Sequence, residues 1–304
     1  MPNPKDIHVD VPLSNFAVEY KVPNLLGYAV APIVSVKKES DKYMIFGSYR
    51  ENLTPGNFVR ADGAPSVEVR WDLTSSDYTC EEYGLKAFIS RRSLENADDV
   101  VQLRQRTVQL LQEKLALAKE MRVAALLQGS SGGFTAATPS TKWDASGADI
   151  EADLNTARHA IVKACGVEAN TLIISRETAD KLVISIKEIL TTSLNVSDRL
   201  GFVALPNKLF GLNVLVGSGL KNTATPGQTV VPAFIWTDTA TVAYVEPSPS
   251  LQAMSALYTF QSRPAVVKAW YDDIRDGEYI ELGLNEVEKV VATGSAYRLT
   301  DVLT

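Results

Sequence analysis

The alternation of apolar and polar positions predicts one long helix near the middle of the chain. Between Asp98 and Gln128 no proline or glycine interrupts a run of good helix formers, and Gly129 then supplies a stop signal. Apolar residues recur there at spacings of three and four, which predicts a single buried stripe. The members of this stripe are Val100, Leu103, Thr107, Leu111, Leu115, Ala118, Met121 and Ala125. Charged residues such as Lys119 and Glu120 fall mainly elsewhere on the helix.

A predicted β-hairpin near the C-terminus matches the helix in length. Residues Tyr258 to Tyr271 and Glu278 to Val291 are strand-rich, and Asp276-Gly277 between them is a dipeptide typical of tight turns. The strands would reach about 40 Å and the helix about 45 Å. Because an isolated two-stranded ribbon is only marginally stable, we expect this ribbon to pack along the helix.

The first 77 residues have the composition of an arm followed by a projecting hairpin. Residues Met1 to Pro32 are marked by prolines and carry apolar groups that an extended segment cannot bury alone. This arm lies either on its own subunit or on a neighbouring one, and we favour the neighbour. Residues Ile33 to Asp77 predict two strands around a turn-rich, polar middle. That hairpin is either a mobile surface loop or a segment that pairs with another chain.

Helices alternate with strands between Asp149 and Ala256, which predicts a compact α/β domain. The predicted helices are Asp149 to Cys165 and Glu177 to Ile189. The predicted strands are Thr171 to Ser175, Leu212 to Ser218 and Ala233 to Glu246.

Composition and charge narrow the functional classes. The 304 residues are 45% hydrophobic and 22% charged, as is usual for a folded protein. A net charge of −6 argues against a dedicated nucleic-acid binder, because such proteins usually carry a basic surface. The 2 cysteines make no disulfide framework. We find neither a signal-peptide pattern nor an apolar run long enough to span a bilayer, so we expect synthesis in a cytoplasm and no membrane partner.

The sequence offers no catalytic constellation. The glycine-rich run 129–133 follows a helix and lacks the Lys-Ser/Thr pair of a phosphate loop, so it predicts a flexible joint. His8 and His159 have no nearby cysteine with which to bind a metal. An acidic cluster begins at Asp272, but Ile274 stands at the third position of a would-be calcium loop and cannot supply a side-chain oxygen. We therefore predict no enzyme activity, no cofactor and no metal site.

Five stretches, taken in this order, resemble the major capsid proteins of tailed bacteriophages, which have the Hong Kong 97-type fold. Each stretch is weakly specific by itself, and the order and spacing carry the resemblance. The stretches are LSNFAVEY (Leu13 to Tyr20), APIVSVKKESDKYMIFG (Ala31 to Gly47), YTCEEYGLKAFISRRSLENADD (Tyr78 to Asp99), ANTLIISRETADKL (Ala169 to Leu182) and FGLNVLVG (Phe210 to Gly217).

This resemblance implies an α+β fold and names for its parts. The implied parts are an N-arm (1–32), an extended loop (33–77), a peripheral domain (78–148 and 257–293) with its spine helix (98–128), and an axial domain (149–256 and 294–304). It further implies a structural head protein that assembles through pentamers and hexamers into an icosahedral shell around a double-stranded DNA genome. An encapsulin-like nanocompartment shell is the alternative.

The same resemblance implies partners and a location. The main partner would be further copies of the chain, with a portal protein and a separate scaffolding protein, since no coiled-coil segment precedes the arm. Whether a decoration protein binds the shell is left open, and contacts with packaged DNA would be non-specific. The particle would be a virion capsid assembled in the bacterial host cytoplasm. No motif places the Lys, Asn and Glu with which some relatives crosslink.

Candidate inter-subunit contacts follow from the arm and hairpin, which cannot bury their own apolar groups. We expect the contacts to involve aromatic, apolar and arginine side chains of these two segments. The candidates are Phe16, Tyr20, Leu25, Tyr28, Arg50, Phe58, Arg60, Arg70 and Trp71.

Overall fold

The structure is a computed structural model of the chain, and it falls into two compact units. It describes residues 8–19, 22, 24–46, 58–60, 62–66, 68, 74–96, 100–184, 205–225 and 227–304. The first unit comprises Met1–Asp41, Asp77–Ala124 and Tyr258–Lys289. The second unit comprises Lys42–Ser76, Ala125–Leu257 and Val290–Thr304.

The described helices and strands are as follows. The helices are α1 (Val11–Glu19), α2 (Gly27–Val30), α3 (Arg91–Glu95), α4 (Val100–Gln128), α5 (Ile150–Cys165) and α6 (176–184). The strands are β1 (His8–Val9), β2 (Ile33–Ser35), β3 (Ser40–Ile45), β4 (Thr74–Thr79), β5 (Glu81–Ser90), β6 (Thr135–Ala137), β7 (Thr171–Ser175), β8 (Lys208–Leu209), β9 (Leu212–Gly217), β10 (Leu220–Asn222), β11 (Pro232–Phe234), β12 (Ala240–Ala243), β13 (Leu257–Asp272), β14 (Gly277–Val290) and β15 (Ala296–Leu299).

The predicted C-terminal hairpin is confirmed as β13 and β14, but it is not an isolated ribbon. It lies in a five-stranded sheet of order β1-β13-β14-β5, with β2 pairing in parallel with β13. β5 runs antiparallel to β14 from the pair Ser90–Gly277 to the pair Glu81–Glu286. The expectation of a two-stranded ribbon is therefore wrong. The hairpin gains the backbone partners that it needs from β5, a strand that precedes it by more than 150 residues.

The long helix is confirmed as α4, and it packs on this sheet as expected. The core between them joins residues of α4, the hairpin, β5 and α1. Its buried members are Leu13, Ala17, Ile89, Val108, Leu111, Val267, Ile280 and Leu282. The sheet therefore supplies the long partner that the length of the helix requires.

The buried face of α4 differs from the predicted stripe in its second half. Ala118, Met121 and Ala125 are exposed although the stripe includes them. The buried residues from this half are Ala116, Lys119, Glu120, Val123, Ala124 and Leu127. The prediction fails because it assigned faces by hydropathy alone, whereas two charged residues on the buried face find partners of opposite charge or backbone donors.

The predicted extended arm is helical over α1, and it packs on its own chain. Leu13 and Ala17 of this helix are buried in the core beneath α4. The Asp10 carboxylate caps the helix by accepting a hydrogen bond from the Leu13 N–H at 3.0 Å. The hydroxyl of Ser14 accepts a hydrogen bond from the Val267 N–H at 3.0 Å. Leu13 and Ala17 are thus buried within their own chain, whereas Val11 and Val18 of the same helix are 58% and 59% exposed. Contact of this segment with a neighbouring subunit stays a prediction.

The base of the predicted 33–77 hairpin is present. β3 and β4 form a two-stranded sheet, and β2 precedes them. Much of the returning side of this hairpin before Thr74 lies outside the described residues. The described tip residues 58–60, 62–66 and 68 belong to no helix or strand, and Gly63 has a φ of 77° within a turn.

Helices and strands alternate in the second unit as predicted between Asp149 and Ala256, while the domain bounds stay a prediction. The six-stranded sheet of this unit has the order β6-β15-β12-β7-β9-β8, in which β7 and β9 are parallel. α5 packs on it through Ile150, Leu154, Ala157 and Ile161, and begins where the Asp149 carboxylate caps Ala152 N–H at 3.0 Å. The predicted strand 233–246 is instead two short strands, β11 and β12, in different sheets. The predicted end of the third helix lies outside the described residues.

Both cysteines are free and buried. The Cys80 thiol donates to the Phe260 carbonyl oxygen at 3.5 Å. Burial raises the pKa of both Cys80 and Cys165, so each thiol stays protonated at neutral pH.

The turn of the β13–β14 hairpin makes a prediction about Gly277. A Cβ at this position would lie 2.5 Å from the Ile89 carbonyl oxygen and 2.5 Å from the Phe88 ring. We expect Gly277→Ala to lower the free energy of unfolding by about 1–3 kcal/mol through overpacking. Gly283→Ala on the same strand is the control, because a Cβ there meets nothing closer than 3.8 Å. Urea denaturation that gives the two variants equal stability would contradict the prediction.

Candidate functional site

A cluster of buried charges joins the middle of α4 to β14 in the first unit. We call Lys119, Arg122, Glu286 and Glu288 the charge cluster. The Lys119 side chain is 0% exposed, and its Nζ lies 3.1 Å from Oε2 of Glu286 and 4.0 Å from Oε1 of Glu288. A buried ammonium is tolerated only when carboxylates compensate its lost hydration, and these two glutamates do so.

Arg122, one turn further along the helix, binds both glutamates. Its Nε donates to Oε2 of Glu288 at 2.8 Å, and one terminal nitrogen donates to Oε1 of Glu286 at 3.0 Å and Oε1 of Glu288 at 2.9 Å. The planar guanidinium suits such forked contacts with carboxylates. Two cations therefore meet two anions, and the cluster is electrically balanced.

Two tyrosines lie against the cations of the charge cluster. Nζ of Lys119 is 4.0 Å from the ring centroid of Tyr28, and Cζ of Arg122 is 4.2 Å from that of Tyr83. Partial burial of the ring, then the charges of Glu286 and Glu288, raise the pKa of Tyr28. Burial, then the hydrogen bond to Glu81, raise the pKa of Tyr83 to about 12. Both phenols are thus neutral at physiological pH.

Burial and the glutamates act in opposite directions on Lys119. Burial is the larger effect and lowers the pKa of Lys119, while Glu286 and Glu288 raise it. The ammonium keeps its charge only as long as the carboxylates stay in place. The cations of α4 and the carboxylates of β14 therefore compensate one another's buried charge.

Glu120 holds the leading segment against α4. Its carboxylate accepts hydrogen bonds from the Leu26 N–H at 2.8 and 3.0 Å and from the Gly27 N–H. It thereby occupies the N-terminus of α2, where free N–H groups favour an anion. A Cβ on Gly27 would lie 3.1 Å from Oε2 of Glu120, so glycine permits this close approach.

These groups support structure rather than catalysis. Each charge in the cluster is matched by a partner, and none is an activated nucleophile facing open space. In the described part of the chain, no group of three His, Cys, Asp or Glu side chains is arranged to bind a metal ion. Among the same residues, no helix combines the length and hydropathy needed to cross a bilayer.

The predicted contact residues fall into three groups. Tyr20, Arg50, Arg70 and Trp71 lie outside the described residues. Phe16 and Leu25 are half-buried, with Phe16 against the core beneath α4, and Tyr28 is 42% exposed while its ring covers Lys119. Phe58 is 65% exposed and Arg60 is exposed, with a hydrogen bond from its terminal nitrogen to Oγ of Ser66 at 3.3 Å. Their contacts with other subunits stay a prediction.

The charge cluster and the role of Glu120 were not predicted from the sequence. The signal was present in the spacing: Lys119 and Arg122 are three apart on a helix, and Glu286 and Glu288 are two apart on a strand. Each spacing places like charges on one face. Two such faces of opposite sign, on elements expected to pack together, would have indicated the pairing.

A family model described as "Phage capsid protein" matches residues 74–273. The curated "Major capsid protein" of Burkholderia phage BcepMu is 28% identical over 201 residues, which are 61% of this chain and 64% of that protein. The match thus spans less than two thirds of that relative's length.

Solved structures share the fold. A phage-related protein from Bordetella bronchiseptica RB50 superposes with a TM-score of 0.75 at 22% identity, over 97% of each chain. A capsid protein of cyanophage P-SCSP1u gives a TM-score of 0.58 at 13% identity, over 89% of this chain and 85% of that one. The α+β architecture is the Hong Kong 97-type capsid fold, as the resemblance predicted.

The charge cluster makes a prediction about stability. Lys119→Met leaves two buried carboxylates with one cation, so we expect the free energy of unfolding to fall by about 3–5 kcal/mol. The matched control is Arg176→Met, which breaks an exposed pair with Asp180 and should cost less than about 1 kcal/mol. Chemical denaturation measures both. Equal losses in the two variants would contradict a special role for the buried cation.

Glu120 makes a second prediction, about the leading segment. Glu120→Gln removes the charge and turns an amide NH₂ toward backbone donors, so we expect a local loss of about 1.5–3 kcal/mol around residues 24–30. Hydrogen exchange of those amides should accelerate, while exchange in β14 should not. Glu113→Gln, at an exposed position of the same helix, is the control. Unchanged exchange at residues 24–30 would refute the anchoring role.

Proposed function

The chain belongs to the phage capsid protein family, and we propose that it is the structural major capsid protein of a tailed double-stranded DNA phage. The family match carries this proposal, because it includes α4 and two strands of the five-stranded sheet, β5 and β13. Membership implies a structural role rather than an enzymatic one. The fully compensated charges of the cluster fit that role, since they fix a shape and leave no reactive group.

We infer that copies of the chain assemble through pentamers and hexamers into an icosahedral shell. A shell subunit must keep its conformation when it contacts its neighbours. The ion pairs between α4 and β14 support this by holding the helix against the sheet. Weak contacts repeated over a closed surface sum to a stable particle. Phe58, 65% exposed in the loop between β3 and β4, is the kind of side chain that a neighbouring copy would cover.

The shell would enclose the double-stranded DNA genome without binding it tightly. The net charge of −6 supports this, because a strongly basic wall would bind packaged DNA tightly. Its place is the capsid of the virion, with assembly in the bacterial host cytoplasm. Portal and scaffolding proteins would be partners in assembly, and a decoration protein remains an open partner.

A nanocompartment shell that holds a protein cargo is the alternative, since it uses a related fold. The curated relative is a phage major capsid protein, and this favours the phage function. The content of the particle separates the two: packaged nucleic acid for a virion, a co-purified protein for a nanocompartment.

The proposal predicts that the purified chain forms closed particles. We expect negative-stain images, recorded with and without a co-expressed scaffolding protein, to show shells of uniform diameter. Particles isolated from infected cells should contain DNA that resists nuclease until the shell is disrupted. A chain that remains monomeric under all these conditions would refute the proposal.

The exposed loop residue Phe58 makes a further prediction. Phe58→Ala removes a side chain that is 65% exposed, so we expect the melting temperature of the unassembled subunit to stay unchanged. The yield or stability of particles should fall, because the partner copy loses an apolar contact. Leu251→Ala, at a side chain 48% exposed, is the control. A drop in subunit melting with normal assembly would show that Phe58 belongs to its own core.

A further inference from the structure

A cavity of about 330 Å³ lies within the first unit, and we call it the arm cavity. Residues of α1, α2 and β2 line one side of it, and residues of α4, β13 and β14 line the rest. The lining is mainly apolar and includes Ala17, Ala116, Pro264, Ala265, Leu282 and Leu284. Val18 and Tyr28 also line it and are 59% and 42% exposed, so a small molecule can reach the arm cavity from solvent.

The volume and lining of the arm cavity are typical of a small-molecule site. Such sites are concave and mainly apolar, measure about 300 Å³ or more, and contain few polar groups. A single turn of α-helix, about 10 Å wide and 5.4 Å long, occupies about 400 Å³, so a helix of a partner protein does not fit. Apolar cavities of about half the present volume already bind small aromatic molecules.

The arm cavity has no charged side chain in its described lining. Tyr28, Gln112 and Gln261 are the lining residues whose side chains can form hydrogen bonds. An ion placed there would lose its hydration without gaining a partner of opposite charge. The lining therefore selects a neutral molecule.

Gln112 contributes a polar atom that lacks a partner. Its Nε2 donates a hydrogen bond to the carbonyl oxygen of Ala17. Its Oε1 is buried and accepts no hydrogen bond from the residues that the structure describes. A buried acceptor without a donor is unfavourable, and a bound molecule that donates to it removes this penalty.

We propose that the arm cavity binds a neutral, mainly apolar small molecule that donates one hydrogen bond to Oε1 of Gln112. The bound molecule contacts α1 and α2 on one side and α4 and β14 on the other, and so it holds the leading segment against the core of the first unit. The inference does not rest on the proposed shell function, because every wall of the arm cavity belongs to a single copy of the chain.

The fluorescent probe N-phenyl-1-naphthylamine tests the site. It is neutral and aromatic and carries one N–H donor. We expect the purified full-length chain to bind it with a Kd of about 10–200 μM, as the usual ligand efficiency gives for about 17 non-hydrogen atoms. The control is 8-anilinonaphthalene-1-sulfonate, which has the same rings and a negative charge and should bind at least about tenfold more weakly. Equal affinities, or no binding of the neutral probe, would overturn the proposal.

A filled cavity locates the bound probe. Ala116→Leu adds three carbon atoms at a lining position that is 7% exposed, so we expect the affinity for the neutral probe to fall at least about fivefold. Ala118→Leu is the matched control, because Ala118 is an exposed residue of the same helix outside the lining. If Ala116→Leu does not fold, Ala265→Leu fills the cavity from β13 instead. Unchanged affinity in a folded filling variant would place the probe elsewhere and refute the site.

An isosteric compound tests the hydrogen bond to Gln112. In 1-phenoxynaphthalene an ether oxygen replaces the N–H group of the probe, so the compound cannot donate. We expect it to bind about fivefold more weakly than N-phenyl-1-naphthylamine in a displacement titration. Equal affinities would contradict the role assigned to Gln112.

Melting and assembly separate the possible occupants. At about ten times its Kd, the neutral probe should raise the melting temperature of the unassembled chain by about 3 °C, and assembled particles should bind it too. Binding that is lost on assembly would assign the arm cavity to a segment of a neighbouring copy and overturn the small-molecule proposal. A chain that forms no particles refutes the proposed function, whereas particles that form normally without any probe binding refute only this site.

Discussion

The charge pairing between α4 and β14 is the constraint on which the first unit depends. Two cations of one helix, the buried Lys119 and the half-buried Arg122, meet two buried carboxylates from alternate positions of a strand. Neither set could be buried without the other, because an uncompensated charge in the interior costs several kcal/mol. The pairing thus fixes the register of helix on sheet more tightly than apolar contacts alone, which tolerate some sliding. A wall subunit that must present the same edges in every copy gains from such a fixed register.

The same stretch of α4 also organises the leading segment. Glu120 holds the N–H groups of Leu26 and Gly27, while the neighbouring Lys119 lies under the ring of Tyr28. Both residues therefore hold the same leading segment, and Lys119 also binds Glu286 of β14. Farther toward the N-terminus, α1 completes the apolar core with Leu13 and Ala17. The subunit is more self-contained at its beginning than a proline-marked sequence suggests.

The sequence carries much of this fold and little of the site. The long helix, the terminal hairpin and the α/β unit could be predicted because their signals are local: uninterrupted periodicity, an Asp-Gly turn, alternating helices and strands. β5 as the sheet partner of β14 and the helical form of residues 11–19 depend on contacts distant in sequence, which no local pattern contains. Lys119 and Glu120 were assigned to the wrong face because hydropathy treats a charge as solvent-seeking, whatever stands opposite to it. Four contact residues outside the described part of the chain stay predictions from the sequence: Tyr20, Arg50, Arg70 and Trp71.

The buried thiols have a consequence for the proposed shell. The thiolate is the form that reacts with oxidants, and burial keeps Cys80 and Cys165 protonated and shielded. A wall built from many copies multiplies any chemical weakness of one copy, since a single modified thiol can swell the core around it. In this chain neither cysteine thiol is accessible to an oxidant. A shell built from such subunits would then persist in aerated surroundings without a reductant, because the packing of each copy shields its two thiols.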